Sequence, residues 1–295
     1  VRKSIFKLRR YLKKTNVSTL LCIGNLPNFA GVLASFGLQK EINLVLSQHG
    51  FTHDLDDKDT GFIGKITPFL KRKLYPKANR IIAVSTSVSE DLKKLNIPSE
   101  KITIVPNFVN INRIRKLAEQ PISQELPKNY IAFVGRLACV KNINLLIQSM
   151  TFLENDLHVV IIGNGSEYEH LSNLTKQLNL INRVHFFDVM SNVLPILKNA
   201  KIVAIPSFSE SFSMVALEAT VLGTTVVHTP NTGCLEIFGN NGSYCSENFD
   251  DPKGFSETLK KALENPINSD ILDEKTQRFD ELNAWGLLEK ITKNV

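Results

Sequence analysis

Three stretches of this chain carry residue types that could bind a phosphorylated ligand. Gly135-Arg136-Leu137, with Lys141 soon after, follows the apolar run Tyr130–Val134. Gly135 permits a tight turn, Arg136 can fork onto phosphate oxygens, and Lys141 supplies a compact charge. A lone Arg and Lys after a turn is usually just solvated, so this stretch decides nothing alone. Ile161-Ile162-Gly163-Asn164-Gly165 is a strand running into a Gly-x-Gly turn, where backbone amides can approach a ligand. The third glycine of the dinucleotide fingerprint is absent, so a plain strand–helix turn fits equally well. The third stretch runs from Pro206 through Ser207, Glu210, Phe212, Ser213, Met214 and Val215 to Glu218. A helix starting near Ser213 would present free amides to an anion. Carboxylates Glu210 and Glu218 flank that turn, which suits hydroxyls on both sides of a diphosphate. Glu218 lies among Ala216, Leu217 and Ala219, where a charge seldom stays without a partner.

The elements that hold these residues alternate. Leu20–Ile23, Asn43–Ser47, Arg80–Val84 and Ile102–Val105 read as strands. So do Tyr130–Val134, His158–Ile162, Arg183–Phe187, Ile202–Ile205 and Thr225–His228. Amphipathic patterns between them read as helices, among them Ser87–Leu95 with Ser87 as N-cap, Asn142–Met150 and Met214–Leu222. Alternation with continuously apolar strands predicts α/β architecture with parallel sheets covered on both faces. At 295 residues the chain is long for one core, and two doubly wound domains are expected to meet near residues 108–128 and face a cleft.

Composition narrows the classes. Hydrophobic residues make up 43%, which excludes a disordered chain. No apolar run reaches the roughly 18 residues of a membrane span, and no signal peptide is visible. The four cysteines form no CxxC pair and read as reduced, mostly buried thiols of a cytoplasmic protein without a zinc site. Residues 1–108 hold 18 Lys/Arg against 8 Asp/Glu, and the remainder holds 17 against 21. One half therefore faces an anionic surface. No zinc-finger spacing, RNP motif or basic zipper points to nucleic acid. Basic residues at 2, 3, 7, 9, 10, 13 and 14, with Ile5, Leu8 and Leu12 on one stripe, and a second cluster over Lys65–Lys77, favour an anionic membrane.

Taken in order, Gly135-Arg136-Leu137 with Lys141, the Gly163-Asn164-Gly165 turn, and Glu210 with Glu218 resemble the family-four retaining glycosyltransferases of the GT-B fold. The two glutamates match that family's E-x7-E motif. Thr229–Glu236 is similar to its following Gly-Gly-x-x-Glu loop, and Val105–Val109 to its interdomain strand. The resemblance implies two Rossmann-like domains: an acceptor-side domain over 1–108, a nucleotide-sugar domain over 109–280, and a helix over 281–295 that crosses back to the first domain, with Trp285 as its anchor. Family members begin with a strand and a glycine-rich loop, so the first domain is expected to lack its leading strands.

The resemblance also implies roles. Arg136 and Lys141, with Gly135, would hold the donor diphosphate. Glu210 and the amides of Phe212, Ser213, Met214 and Val215 would bind the sugar, Glu218 the ribose, and the backbone near Val189 and Met190 the base. Gly163 and Gly165 would line the donor loop. His49, after the strand Val45–Gln48, matches the active-site histidine; a histidine capping a strand end is the alternative, and the position at the carboxyl edge favours the functional reading. The catalytic set is then His49, Arg136, Lys141 and Glu210.

The implied reaction transfers a sugar from a nucleoside diphosphate sugar to a glycan or lipid-linked acceptor with retention, needing no metal or other cofactor, at the inner face of a membrane. A non-catalytic nucleotide-sugar-binding subunit and a nucleotide-sugar epimerase are the alternatives. Ser211, Ser213, Asp188 and Thr224-Thr225 depart from the family pattern. Asp54-Leu55-Asp56 and Asp57-Lys58-Asp59 match the D-x-D of metal-dependent transferases, but read as a solvated acidic loop.

Overall fold

The computed structural model describes residues 2–38, 42–52, 61–239 and 241–293. The chain divides into two compact units, one of Val1–Asn107 with Leu282–Val295 and one of Phe108–Glu281.

The first unit contains α1 (Arg2–Lys14), β1 (Thr19–Ile23), α2 (Asn25–Ser35), β2 (Asn43–Gln48), α3 (Gly61–Leu74), β3 (Arg80–Ala83), α4 (Thr86–Lys94) and β4 (Ile102–Ile104). Its four strands form a parallel sheet in the order β1-β2-β3-β4. Every residue of β2 is buried, as expected of an inner strand covered on both faces. At β1, by contrast, Leu21 and Ile23 are exposed. Ser85, not Ser87, caps α4: its Oγ accepts from the Val88 amide, and Glu90 pairs with Lys93 instead of closing a capping box. Ile5, Leu8 and Leu12 of α1 turn inward onto Ala34 and Ile42, so the apolar stripe belongs to the core. Arg9 is also drawn in, its Nη1 donating to the carbonyls of Ala34 and Phe36 at the end of α2. The acidic tract 54–59 lies outside the described residues.

The second unit contains α5 (Ile111–Leu117), β5 (Tyr130–Val134), α6 (Ile143–Ser149), β6 (His158–Ile162), α7 (Tyr168–Gln177), β7 (Val184–Phe187), α8 (Leu194–Asn199), β8 (Ile202–Ile205), α9 (Met214–Val221), β9 (Val226–His228), α10 (Thr232–Phe238), β10 (Tyr244–Cys245), α11 (Pro252–Glu264) and α12 (Ser269–Gln277). Its six strands are parallel, in the order β10-β9-β8-β5-β6-β7. The chain first moves outward from β5 to β7, then returns to the other side of β5 with β8. The strand order thus reverses between β5 and β8, the place where open α/β sheets form their ligand crevice. Phe133, Ile161, Ile202, Val227 and Phe255 lie in one buried core around these strands.

The end of the chain forms α13 (Glu281–Lys293). Leu288 and Ile291 of this helix pack with Val45, Ile82 and Val105 of the first unit's sheet. Trp285 is 58% exposed and is not part of that buried cluster. The boundaries between the two units fall at Asn107/Phe108 and Glu281/Leu282. Within the second unit its two ends are tied together, with Val109 bonded to Phe279 and Glu281 through the backbone and Asn110 Nδ2 donating to Glu281 Oε1 at 2.6 Å. All four cysteines are free thiols, but only Cys22 and Cys234 are buried; Cys139 and Cys245 are exposed, each at the end of a strand or turn.

Candidate active site

Sheet order brings together loops that are 70 residues apart in sequence. β5 and β8 are neighbours, so the loops leaving their carboxyl ends meet. After Gly135 the chain makes a one-turn 3-10 helix, Cys139–Lys141. The Phe208 amide donates to the Val140 carbonyl at 2.9 Å, drawing the β8 loop onto that turn. Asn142, in left-handed geometry, donates through Nδ2 to the Phe249 carbonyl at 2.7 Å and holds the turn from behind.

A cavity of about 360 Å³ opens where the two loops meet. Gly135, Arg136 and Lys141 line it from the β5 side, and Glu210, Phe212, Ser213, Met214 and Val215 from the β8 side. Eight of the residues singled out in the sequence are therefore on one surface. Ser213 Oγ accepts from the Ala216 amide and caps α9. The amides of Met214 and Val215, at the first two positions of the helix, have no carbonyl one turn back to bond. They make the rim of the cavity electropositive. Ser213, one of the departures from the family pattern, is thus spent on the helix cap.

Lys141 and Glu210 are in direct contact. Lys141 Nζ lies 2.8 Å from Glu210 Oε1, and the two side chains are 22% and 13% exposed. Ser207 Oγ donates to the same oxygen at 2.8 Å. The sequence named both charges but neither their pairing nor a role for Ser207. Gly233 completes the arrangement: a β-carbon there would stand 2.7 Å from both the Cβ and the carbonyl oxygen of Glu210. Glycine is required because the β9–α10 turn presses on the backbone of Glu210.

Glu218 lies one turn along α9 from Met214, on the same side of the helix. Its neighbours Ala216, Leu217 and Ala219 are buried. Its carboxylate makes no hydrogen bond or ion pair among the described residues. Burial without a partner raises its pKa above the ordinary 4.5.

Gly163, Gly165, Val189 and Met190 are not among the residues lining this cavity, though the two glycines pack on the loop that lines it. A β-carbon on Gly163 would lie 1.9 Å from the Gly135 carbonyl oxygen, and one on Gly165 2.2 Å from that of Leu137. These glycines let the β6 loop pack against the β5 loop, which is zipped to it by Gly135 N to Ile162 O and Leu137 N to Asn164 O. Val189 and Met190 line a separate cavity of about 270 Å³ with Gln120–Gln124. Asp188 shapes that turn, its Oδ1 accepting from the Val189 amide at 2.8 Å. Thr224 and Thr225 also have structural partners, Thr224 Oγ1 donating to Leu197 O and Thr225 Oγ1 accepting from Ile267 N.

His49 belongs to the first unit, directly after β2. Its Nε2 is 3.0 Å from Ser47 Oγ. Desolvation lowers its pKa from 6.5, and a hydrogen bond with the Asn107 side chain opposes the shift. The imidazole is therefore neutral at neutral pH.

Residues 115–281 match the family described as Glycosyl transferases group 1, and residues 2–113 match Glycosyltransferase Family 4. This chain belongs to the family-four glycosyltransferases. It is 29% identical over 261 residues to a Campylobacter jejuni protein named N-acetylgalactosamine-N,N'-diacetylbacillosaminyl-diphospho-undecaprenol 4-alpha-N-acetylgalactosaminyltransferase, covering 88% of this chain and 70% of that one. A second C. jejuni protein, an N,N'-diacetylbacillosaminyl-diphospho-undecaprenol alpha-1,3-N-acetylgalactosaminyltransferase, is 24% identical over 90% of this chain and 72% of its own length. The fold matches that of Anabaena Alr3699/HepE solved with UDP and glucose, with a TM-score of 0.82 at 18% identity over 99% of this chain and 81% of that one. The lipopolysaccharide outer core galactosyltransferase WaaB superposes with a TM-score of 0.75 at 19% identity over 100% of this chain and 80% of that one. As a family-four transferase with two parallel α/β units, the protein has the GT-B architecture, and it is an enzyme of sugar transfer.

Proposed function

We propose that this glycosyltransferase takes a hexose-type sugar from a nucleoside diphosphate sugar and passes it, with retention of configuration, to a lipid-linked glycan at an anionic membrane surface. The observation that carries the reading is the convergence of Lys141, Glu210 and the open amides of Met214 and Val215 on one cavity at the β5/β8 reversal. Arg136, Lys141 and the α9 N-terminus face the diphosphate and stabilise the charge that grows on it as the anomeric bond breaks. These cations and amides do the work a metal would otherwise do. Glu210 accepts from the sugar hydroxyls, and the unpaired Glu218 accepts from the two ribose hydroxyls. Neutral His49 serves as the active-site histidine, and the Val189–Met190 cavity receives the base. UDP in a structural neighbour and N-acetylgalactosaminyl transfer by the C. jejuni relatives make UDP-N-acetylhexosamines the first donors to try.

Membrane contact has its own support. No helix among the described residues is long and apolar enough to cross a membrane. Phe6 and Tyr11 of α1 and Phe69 of α3 are exposed, and so are Lys7, Arg10, Lys13, Lys14, Arg72 and Lys73 of the same helices. Aromatic and basic side chains together suit the headgroup region of an acidic bilayer. The deciding assay incubates the protein with UDP-glucose, UDP-galactose, UDP-N-acetylglucosamine or UDP-N-acetylgalactosamine and an undecaprenyl diphosphate-linked glycan. Transfer from one donor is expected. Absence of transfer, donor hydrolysis and UDP binding across the panel refutes the reading.

A further inference from the structure

We propose that Ser207 is the positioning residue that orients Glu210, as the last member of a hydrogen-bonded frame rising from the β9–α10 turn. This rests on the reading of the β5/β8 cavity as the donor site. Ser207 Oγ and Lys141 Nζ both bond Glu210 Oε1, at 2.8 Å each. Oε2 bonds no described residue and is left to meet a ligand. The two partners of Oε1 do different things. An ammonium on a long stem is a point charge that attracts the carboxylate from many directions, whereas a buried hydroxyl on a one-carbon stem offers its single donor from one fixed place and so favours one rotation of the carboxylate plane.

Ser207 can do this because it is itself held. It is fully buried, and its carbonyl accepts from Thr229 Oγ1 at 2.6 Å. Thr229 is held in turn: its carbonyl accepts from Asn231 Nδ2 at 3.1 Å and lies 2.7 Å from His228 Nδ1. Thr229 and Asn231 are buried, and Asn231 Oδ1 caps α10. The same turn delivers Gly233 against the Glu210 backbone and Thr232 Oγ1 to the Glu210 carbonyl at 3.2 Å. Backbone and carboxylate of Glu210 are thus fixed from one side by one rigid turn. Transition-state complementarity depends on such fixing, since small misplacements of a contacting group cost rate.

The test compares wild type, Ser207→Ala, Ser207→Thr, Gly233→Ala, Glu210→Gln and the Ser207→Ala/Glu210→Gln pair. UDP affinity is read by calorimetry, turnover with whichever of the four UDP-sugars wild type uses best, and folding by thermal midpoint. Loss of one hydrogen bond to a charged group predicts a roughly ten- to hundredfold fall in kcat/KM for Ser207→Ala, with UDP affinity within about twofold. Ser207→Thr, which keeps the hydroxyl, recovers turnover. The double variant is no slower than Glu210→Gln alone, because Ser207 acts only through Glu210. If Ser207→Ala does not fold, Gly233→Ala, which shifts Glu210 and leaves the hydroxyl in place, is expected to show the same selective loss of turnover. Wild-type turnover in Ser207→Ala, or in Gly233→Ala where that is the folded variant, overturns the proposal. So does an equal loss of UDP affinity, or additivity in the double variant. Absence of UDP binding by wild type instead refutes the donor-site reading.

Discussion

Glu218→Gln separates stability from ligand binding. The wild-type carboxylate is partly buried among Ala216, Leu217 and Ala219 and has no partner among the described residues. An unsatisfied buried polar group costs about 1–3 kcal/mol, and partial exposure puts Glu218 near the low end, about 1 kcal/mol. The neutral amide removes the part of that cost due to burying a charge but is itself unpaired, so about 1 kcal/mol is the upper bound of the gain. For a unit of this size a gain of about 1 kcal/mol raises the thermal midpoint by about 2–4 °C. The pH dependence has a definite sign. The folded-state pKa is raised above 4.5, so the folded chain holds this proton longer than the unfolded chain. Below pH 4.5 Glu218 is protonated in both states and carries no penalty. As pH rises through the raised pKa stability is lost, and the gap between variant and wild type opens toward neutral pH.

Adding UDP should narrow or reverse that order. At 100 times its Kd, UDP stabilises wild type by about 2.7 kcal/mol. A paired acceptor for two ribose hydroxyls is worth a tenfold or greater change in Kd, which leaves the variant a gain of about 1.4 kcal/mol or less. Scanning fluorimetry with and without UDP, at pH 4.5 and 7.5, reads every term. A variant that is no more stable than wild type at pH 7.5 without UDP, or that binds UDP as tightly, refutes the account of Glu218.

Lys141→Ala leaves Glu210 partly buried with only Ser207 as partner, so the thermal midpoint should fall while turnover drops about a hundred- to thousandfold; parallel fluorimetry and UDP-release assays check both. Gly163→Ala must place a methyl group 1.9 Å from the Gly135 carbonyl at a φ of +145°, and urea unfolding should show a loss of at least about 2 kcal/mol. His49 stays neutral to below pH 6.5, so the acid limb of the kcat/KM profile should lie below that value, and Asn107→Ala, which removes the opposing bond, should move it further down; a limb at or above 6.5 would count against a neutral His49 in turnover. Reversing Lys13 and Lys14 of α1 to Glu should weaken sedimentation with phosphatidylglycerol vesicles at least tenfold, at about 1 kcal/mol per basic residue, and high salt should do the same to wild type.

The central strands of both sheets were legible as short apolar runs between turn residues, because a parallel strand covered on both faces admits little else. Short elements were not. Neither α10 (Thr232–Phe238), a seven-residue helix that includes Gly233, nor α12 (Ser269–Gln277), whose apolar stripe is sparse, is among the helices read from the sequence. The N-cap of α4 went to Ser85 in place of Ser87, since either serine could accept a first-turn amide and only the end of β3 decides which one does. Trp285 stood out on residue type alone, while the buried cluster at α13 is built by Leu288 and Ile291.

By itself the sequence determined the class of chemistry, because Arg136, Lys141, Glu210 and Glu218 are few, charged and set at spacings that belong to one family. It also determined the alternation of strands and helices, through local apolar periodicity. What only the tertiary structure decided is who meets whom. The reversal of strand order places β5 beside β8, and that adjacency closes the Lys141–Glu210–Ser207 contact. It also packs Gly163 and Gly165 against the β5 loop and puts Val189 and Met190 in a second cavity. Such pairings depend on the order of strands in a sheet, which non-local packing selects and local sequence does not encode.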